Sequence, residues 1–114
     1  MTNHPAALDP DAIHHQLDEL GLAFADADAA YKALDDATKT VLAEVMVDFS
    51  GTEKSSAAQE THARASRIFK DHLAAVAAAR RTCNRARVRY DSLKAWVELK
   101  RTAAATDRAM MNLR

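Results

Sequence analysis

The stretch from residue 13 to residue 45, IHHQLDELGLAFADADAAYKALDDATKTVLAEV, decides the fold. Apolar or small residues recur in steps that alternate between four and three: Ile13, Leu17, Leu20, Phe24, Ala27, Tyr31, Leu34, Thr38, Val41 and Val45. This is the a/d seam of a coiled coil, kept through about five heptads. It predicts one long helix that packs along this seam. Gly21 lies inside the pattern without interrupting its phase, at a cost of about 1 kcal/mol relative to alanine.

The composition of the whole chain favours helix as strongly as this stretch does. Alanine, the best helix former, supplies 26 of the 114 residues, and aromatic residues make up only 5%. Both prolines, Pro5 and Pro10, lie within the first ten residues. A β-protein needs aromatic and β-branched runs with frequent turn signals, which are missing here. The sequence therefore predicts an all-α protein.

The helix boundaries follow from capping and turn residues. Asp9 is suited to the N-cap position and Pro10 to the first helical position, so helix 1 is expected over about residues 10–48. The stretch DFSGTEKSS, residues 48–56, contains the only strong break: Gly51 suits a helix C-terminus, and the next helix has three possible caps, Thr52, Ser55 and Ser56. The turn is placed at 49–55 and helix 2 at about 56–111, in a single domain over residues 1–114.

Helix 2 has its own seam, and the two seams predict an antiparallel hairpin. The seam residues are Ala65, Ile68, His72, Ala75 or Val76, Ala79, Cys83, Ala86, Tyr90, Leu93 and Val97. Two long helices joined by a short turn form a coiled-coil hairpin. A turn centred near residue 52 places Ile13 beside Tyr90 and Asp91, so the chain beyond Lys94 overhangs helix 1. Two helices bury little core, so a homodimer is expected to complete a four-helix bundle, with this interface: Leu93, Val97, Met110 and Met111.

Charge is distributed unevenly along a chain whose formal net charge is zero. Residues 1–53 have a net charge of −9 and residues 54–114 a net charge of +9. Residues 79–89, ARRTCNRARVR, contain five arginines. In the predicted register a basic stripe with a period of seven runs beside the seam of helix 2: Arg80, Arg87, Lys94 and Arg101. Arg80 is expected to meet Asp28 of helix 1.

Three uses of these basic residues remain open. In the first, they solubilise the hairpin and set its register, and each exposed ion pair is worth about 0–1 kcal/mol. In the second, they bind an acidic protein through the stripe, with Trp96 as the apolar anchor, because arginine and tryptophan are typical of interaction hot spots. In the third, they bind nucleic acid through the stretch 80–101, with additional contacts from Arg81, Arg85 and Arg89. The neutral charge and the scarcity of aromatic residues for base stacking weigh against nucleic acid.

No pattern of catalytic or metal-binding residues is present. Cys83 is the only cysteine, and the adjacent His14 and His15 point about 100° apart on a helix, so they cannot chelate one ion together. His72, in the seam, is expected to be partly buried with a local partner. No phosphate-binding loop or nucleophile motif occurs. We therefore expect no enzyme activity, cofactor, metal or small-molecule substrate. No secretion signal or membrane span is evident, which favours the cytoplasm.

Two resemblances bear on function. ARVRYDSLKAWVELKRTAAATDRAMMN, residues 86–112, resembles the C-terminal part of small helical accessory proteins of phages and prophages. That resemblance implies a small inhibitor or accessory protein acting by binding in the host cytoplasm. The architecture also resembles secreted WXG-type hairpins of the ESX systems. The turn here reads Phe49-Ser50-Gly51, however, without the tryptophan, and no Tyr-x-x-x-Asp/Glu export signal follows helix 2.

Overall fold

A computed structural model describes residues 9–113, and these residues form four α-helices and no strand. The helices are α1 (Pro10–Asp36), α2 (Thr38–Phe49), α3 (Ser56–Ala65) and α4 (Arg67–Asn112). The predicted all-α fold class is therefore confirmed. The sequence predicted two helices, whereas the described chain has a local irregularity in each of the two predicted helical regions.

The first irregularity barely interrupts the helix. Ala37 lies between α1 and α2 with helical dihedral angles, φ −75° and ψ −10°. Its N–H donates to the Ala33 carbonyl at 3.2 Å, and its own carbonyl accepts from the Val41 N–H at 2.9 Å. Backbone hydrogen bonding thus continues through Ala37, which explains why the seam of the first half keeps its phase.

The second irregularity is a true break. Ser66, between α3 and α4, is extended, with φ −69° and ψ 154°. Its hydroxyl donates to the Ala63 carbonyl at 2.6 Å and accepts from the Phe69 N–H at 3.2 Å. One serine side chain therefore satisfies a carbonyl at the end of α3 and an N–H in the first turn of α4.

The caps at the other helix starts use short polar side chains. Asp9 accepts from the Asp11 N–H at 3.2 Å, and its carbonyl accepts from the Ile13 N–H at 2.9 Å, as the predicted N-cap of α1 should. Of the three candidate caps after the turn, the structure selects Ser55, whose hydroxyl accepts from the Ala58 N–H at 3.1 Å. Gly51 is exposed and does not adopt a positive φ.

Contacts divide the described chain into two compact units. Unit A, residues 26–83, brings antiparallel segments together: Asp28 contacts Cys83, Tyr31 contacts Arg80, Thr38 contacts His72, and Phe49 stacks on His62. Its buried side chains are Val45, Ala63, Phe69, Val76 and Cys83. His72 is half-buried and pairs with the Thr38 hydroxyl at 3.0 Å, which confirms the expected partly buried histidine with a partner.

Unit B combines residues 9–25 with residues 84–113. Its core is a cluster of Ile13, Leu93 and Val97, against which other partly buried side chains pack: Leu17, Leu20 and Trp96. Tyr90 lies 6.4 Å from Phe24 between ring centres. A Cβ added to Gly21 would lie 3.4 Å from the nearest carbon of the Tyr90 ring, so Gly21 marks a close approach of the two segments.

The predicted pairing register was wrong by about one heptad. Ile13 was expected beside Tyr90 and Asp91 but packs on Leu93 and Val97. The prediction centred the turn near residue 52, midway between Phe49 and Ser56. Phe49 pairs with His62, however, so the first residues of α3 lie beyond the end of α2 and the centre of the pairing moves later. Consequently, Trp96 and Val97 do not overhang, and the uniformly exposed segment begins at Glu98.

The predicted seam of helix 2 is correct from His72 to Val97 and wrong before it. Ala65 and Ile68 are exposed, and the buried positions are Ala63 and Phe69. Regular steps of three and four taken back from Val76 reach Phe69, which shows that Ile68 was the wrong choice. Ala65 is displaced because the break at Ser66 interrupts the helical phase.

No described helix is long and apolar enough to cross a membrane.

Candidate interaction surface

Three of the four predicted stripe residues already have partners within the chain. Arg80 donates two hydrogen bonds to the Tyr31 hydroxyl, at 3.2 Å from Nε and 3.0 Å from Nη2. These bonds raise the pKa of the Arg80 guanidinium above its ordinary value. Lys94 lies 3.4 Å from the Asp91 carboxylate and 4.5 Å from the centre of the Tyr90 ring.

Arg101, the last stripe residue, lies 3.3 Å from the Glu98 carboxylate one turn earlier on α4. Pairs of this kind along one exposed helix are worth a few tenths of a kcal/mol. The ion pairs of Lys94 and Arg101 therefore hold side-chain orientation more than they contribute stability. Both cations are exposed and can exchange these partners for an outside carboxylate.

The expected pair between Arg80 and Asp28 does not form. Asp28 binds Lys32 instead, at 2.8 Å, and accepts from the Cys83 thiol at 3.7 Å. The hydrogen bond from Lys32 is the main cause that lowers the pKa of Asp28, and the thiol contributes in the same direction. The prediction failed because the register brings Cys83 opposite Asp28 and leaves Arg80 opposite Tyr31.

Four of the five arginines in residues 79–89 have no such partner. Within residues 9–113, no hydrogen bond, ion pair or ring contact is formed by this exposed set: Arg81, Arg85, Arg87 and Arg89. Two acids of the first segment of unit B lie beside histidines of their own helix, Asp18 beside His14 at 3.5 Å and Glu19 beside His15 at 3.0 Å. The described residues thus leave these four positive charges unneutralised by direct contact.

Arg85 and Arg89 form an outer basic face on unit B. They are four residues apart on α4 and so lie one above the other, with Val88 beside them. Val88 is 62% exposed. We call Arg85, Val88 and Arg89 the outer basic face, or the outer face for short. Arg87, two residues from both arginines, projects about 200° away around the helix, so a flat partner cannot contact it together with the outer face.

The predicted dimer residues are divided between two environments. Leu93 and Val97 are buried within unit B against Ile13, so a second copy finds almost no free surface on them. Met110 and Met111 are both exposed. Trp96, the predicted anchor, is half-buried against the core cluster, and Lys100 lies 5.7 Å from the centre of its ring.

A shallow groove of about 300 Å³ lies beside this core and was not predicted. Its floor is formed by Ile13, Leu17 and Val97, and its rim includes His14 and Arg101. The groove has an apolar floor and holds no paired catalytic groups. Among residues 9–113, no three histidine, cysteine, aspartate or glutamate side chains are close enough together to hold a metal ion.

Sequence reasoning missed Val88 as a surface residue of interest. The signal was present, since Val88 lies off the 4/3 seam that runs through Ala86 and Tyr90. An apolar residue off the seam and between two arginines is a candidate contact residue. No family model matches the sequence, and no curated protein or solved structure matches it either.

Proposed function

We propose that the chain is a non-enzymatic binding module that docks an acidic protein surface onto α4. The observation that carries this proposal is the set of arginines without partners among residues 9–113, of which Arg85 and Arg89 flank the exposed Val88. Charges without local partners are available for an outside carboxylate, and an apolar side chain between them suits a protein. The stripe residues Arg80, Arg87, Lys94 and Arg101 project from another face of α4 and remain a second proposed contact surface, with Trp96 as the proposed apolar anchor.

An acidic protein is favoured over nucleic acid by what surrounds the arginines. The described tyrosines and the half-buried Phe24 lie in the helix seams, so they cannot stack on bases. The apolar side chain of Val88 has no charge or hydrogen-bond donor with which to bind a phosphate backbone.

Nucleic-acid binding is the second candidate, because unpaired arginines are also what phosphates require. If Arg85, Arg87 and Arg89 each contacted one phosphate, affinity for duplex DNA would fall roughly 40-fold between 50 and 200 mM salt. Anisotropy of labelled single-stranded and duplex DNA, titrated with the full chain at both salt concentrations, measures this directly. Binding with that salt dependence would replace the protein-binding proposal with nucleic-acid binding.

The protein arm of the test uses charge reversals on different faces of α4. Arg85→Glu with Arg89→Glu reverses the outer face, and Arg87→Glu with Lys94→Glu reverses the stripe. Arg64→Glu with Arg67→Glu is the charge-matched control in unit A, where Glu60 and Asp71 already pair with these arginines. Quantitative affinity capture from a host lysate should show one dominant partner that the outer-face variant loses and the control keeps. Equal loss in all three variants would mean non-specific charge attraction and would end the proposal.

The remaining parts of the proposal concern biological setting and assembly. The resemblance of residues 86–112 to phage accessory proteins adds that the partner is a host or phage protein in the cytoplasm and that binding inhibits or assists it. The exposure of Met110 supports dimerisation as a further proposal. With Leu93 and Val97 buried inside unit B, that dimer must use other surfaces of α4.

A further inference from the structure

The C-terminal part of α4 has a second apolar stripe that the hairpin does not use. Its members follow in steps of four, three, four and three, and all are exposed: Leu99, Ala103, Thr106, Met110 and Leu113. Leu99 is 67% exposed and lies about 200° around the helix from the buried Val97. The Thr106 hydroxyl donates to the Thr102 carbonyl at 3.0 Å, so its methyl group is left for packing. We call these five residues the outer seam.

The spacing of the outer seam identifies the kind of partner that fits it. Steps of three and four are the a/d pattern of helices that pack as a coiled coil, so the complement is another helix. Leu99 and Thr106 occupy d positions, and Ala103 and Met110 occupy a positions. Further towards the N-terminus the same side of α4 carries Arg89 of the outer face. The outer seam therefore lies on the same side of α4 as the outer face but closer to its C-terminal end.

Two charged residues beside the outer seam indicate that the partner helix is a second copy of this chain. Lys100 and Asp107 both occupy e positions, seven residues apart. Neither forms an ion pair with another residue from 9 to 113, although Lys100 lies over the Trp96 ring. In an antiparallel pair of helices, e positions face e positions. Two antiparallel copies therefore place Lys100 of each beside Asp107 of the other, forming two equivalent ion pairs.

One register satisfies the charges and the packing together. It layers Leu99 against Met110 and Ala103 against Thr106 of the other copy, with the small residues near the two-fold axis where the helices approach closely. A shift of one heptad in either direction brings Lys100 against Lys100 or Asp107 against Asp107. A parallel pair offers neither residue an opposite charge, because each e position faces the g position five residues earlier, occupied here by Ala95 and Thr102.

We propose that two copies associate through their outer seams as an antiparallel two-fold helix pair, with reciprocal ion pairs between Lys100 and Asp107. This inference rests on the proposed dimerisation and assigns it to a face different from the internal seam of Leu93 and Val97. Each copy keeps its arginines at 85 and 89 outside the interface, so a dimer presents two outer basic faces.

The first test compares two exposed residues, one on the outer seam and one beside it. Sedimentation equilibrium of the full chain should show a dimer whose dissociation constant rises at least tenfold in Leu99→Glu. Met111→Glu is the matched control, because Met111 is 73% exposed but lies off the outer seam, and it should leave the constant within about twofold. Far-UV circular dichroism verifies that both variants remain helical, since neither residue is buried within the chain.

The second test establishes direction and register by exchanging charges. Lys100→Asp places aspartate against aspartate and should weaken the dimer, and Asp107→Lys should weaken it likewise. The double variant restores opposite charges in the antiparallel register alone, so its dissociation constant should return to within about threefold of the original. Double and single variants that are equally weak would overturn the antiparallel pairing.

The possible failures separate this inference from the proposals on which it rests. A monomeric parent chain would overturn dimerisation and the outer-seam pair together, leaving the binding of an acidic protein to be judged by its own variants. A dimeric parent chain that Leu99→Glu leaves unchanged would overturn the outer seam alone. A dimer lost with Met111→Glu but kept with Leu99→Glu would assign the interface to the neighbouring face of α4.

Discussion

The core of unit B makes a quantitative prediction for Leu93→Ala. Leu93 has no exposed surface and packs with Ile13 and Val97. The change removes three carbon atoms, which at about 0.8 kcal/mol per buried methylene amounts to about 2.4 kcal/mol. The cavity left behind adds to this loss, while the higher helix propensity of alanine returns a few tenths of a kcal/mol. We expect the free energy of unfolding to fall by about 2.5–3 kcal/mol.

Urea unfolding followed by far-UV circular dichroism measures this loss. Leu22→Ala is the matched control, because it is the same chemical change in the same unit at a side chain that is 65% exposed. The control should change the free energy of unfolding by less than about 0.5 kcal/mol. Equal effects of the two substitutions would refute the assignment of Leu93 to the core, and with it the register that pairs Leu93 with Ile13.

Three further substitutions test local features of the helices. Gly21→Ala should raise the free energy of unfolding by up to about 1 kcal/mol in the same urea assay, because the new methyl group would make ordinary contact with the Tyr90 ring and alanine favours helix. Ser55→Ala removes the N-cap of α3 and should lower the free energy of unfolding by about 1 kcal/mol, together with the midpoint temperature of thermal unfolding. The pKa of Asp28 is lowered in the folded chain, chiefly by its hydrogen bond with Lys32. The ionised carboxylate therefore stabilises the fold at pH values above its ordinary pKa of 3.8. This stabilisation is lost as the pH falls through the lower pKa of the folded chain. Asp28→Asn should therefore narrow the difference in unfolding free energy between neutral and strongly acidic pH, and an unchanged difference would contradict the role of this pair.

The sequence was sufficient for every feature that depends on local periodicity. All ten predicted seam positions between Ile13 and Val45 are buried or half-buried, and the second seam is correct from His72 onward. The all-α class and the cap at Asp9 follow from propensity and side-chain chemistry at single positions. Each of these features depends only on residues that are close together in the sequence, so each half of the chain determines its own features without contact with the other half.

Register and phase were not predictable in the same way, because both depend on a few residues at the ends of helices. The pairing register depends on how far α3 runs before it meets α2: Phe49 pairs with His62, and no glycine or proline in the sequence marks that point. The burial of Ala63 in place of Ala65 depends on the break at Ser66, whose sequence neighbours give no glycine or proline signal. Which arginines have partners then follows from the register, so the outer basic face was not distinguishable from the stripe.

The turn between α2 and α3 offers a place to lengthen the chain. Its base is tied by the Gln59 amide, which donates to the Glu53 carbonyl at 2.9 Å, and by His62, which stacks on Phe49. At its tip Gly51 is exposed, and no residue other than its two chain neighbours has an atom within 4 Å of the position a Cβ would take. Doubling the length of a flexible loop costs only about 0.6 kcal/mol. An epitope inserted at Gly51 therefore provides an internal label for affinity capture that leaves the sequence of unit B unaltered.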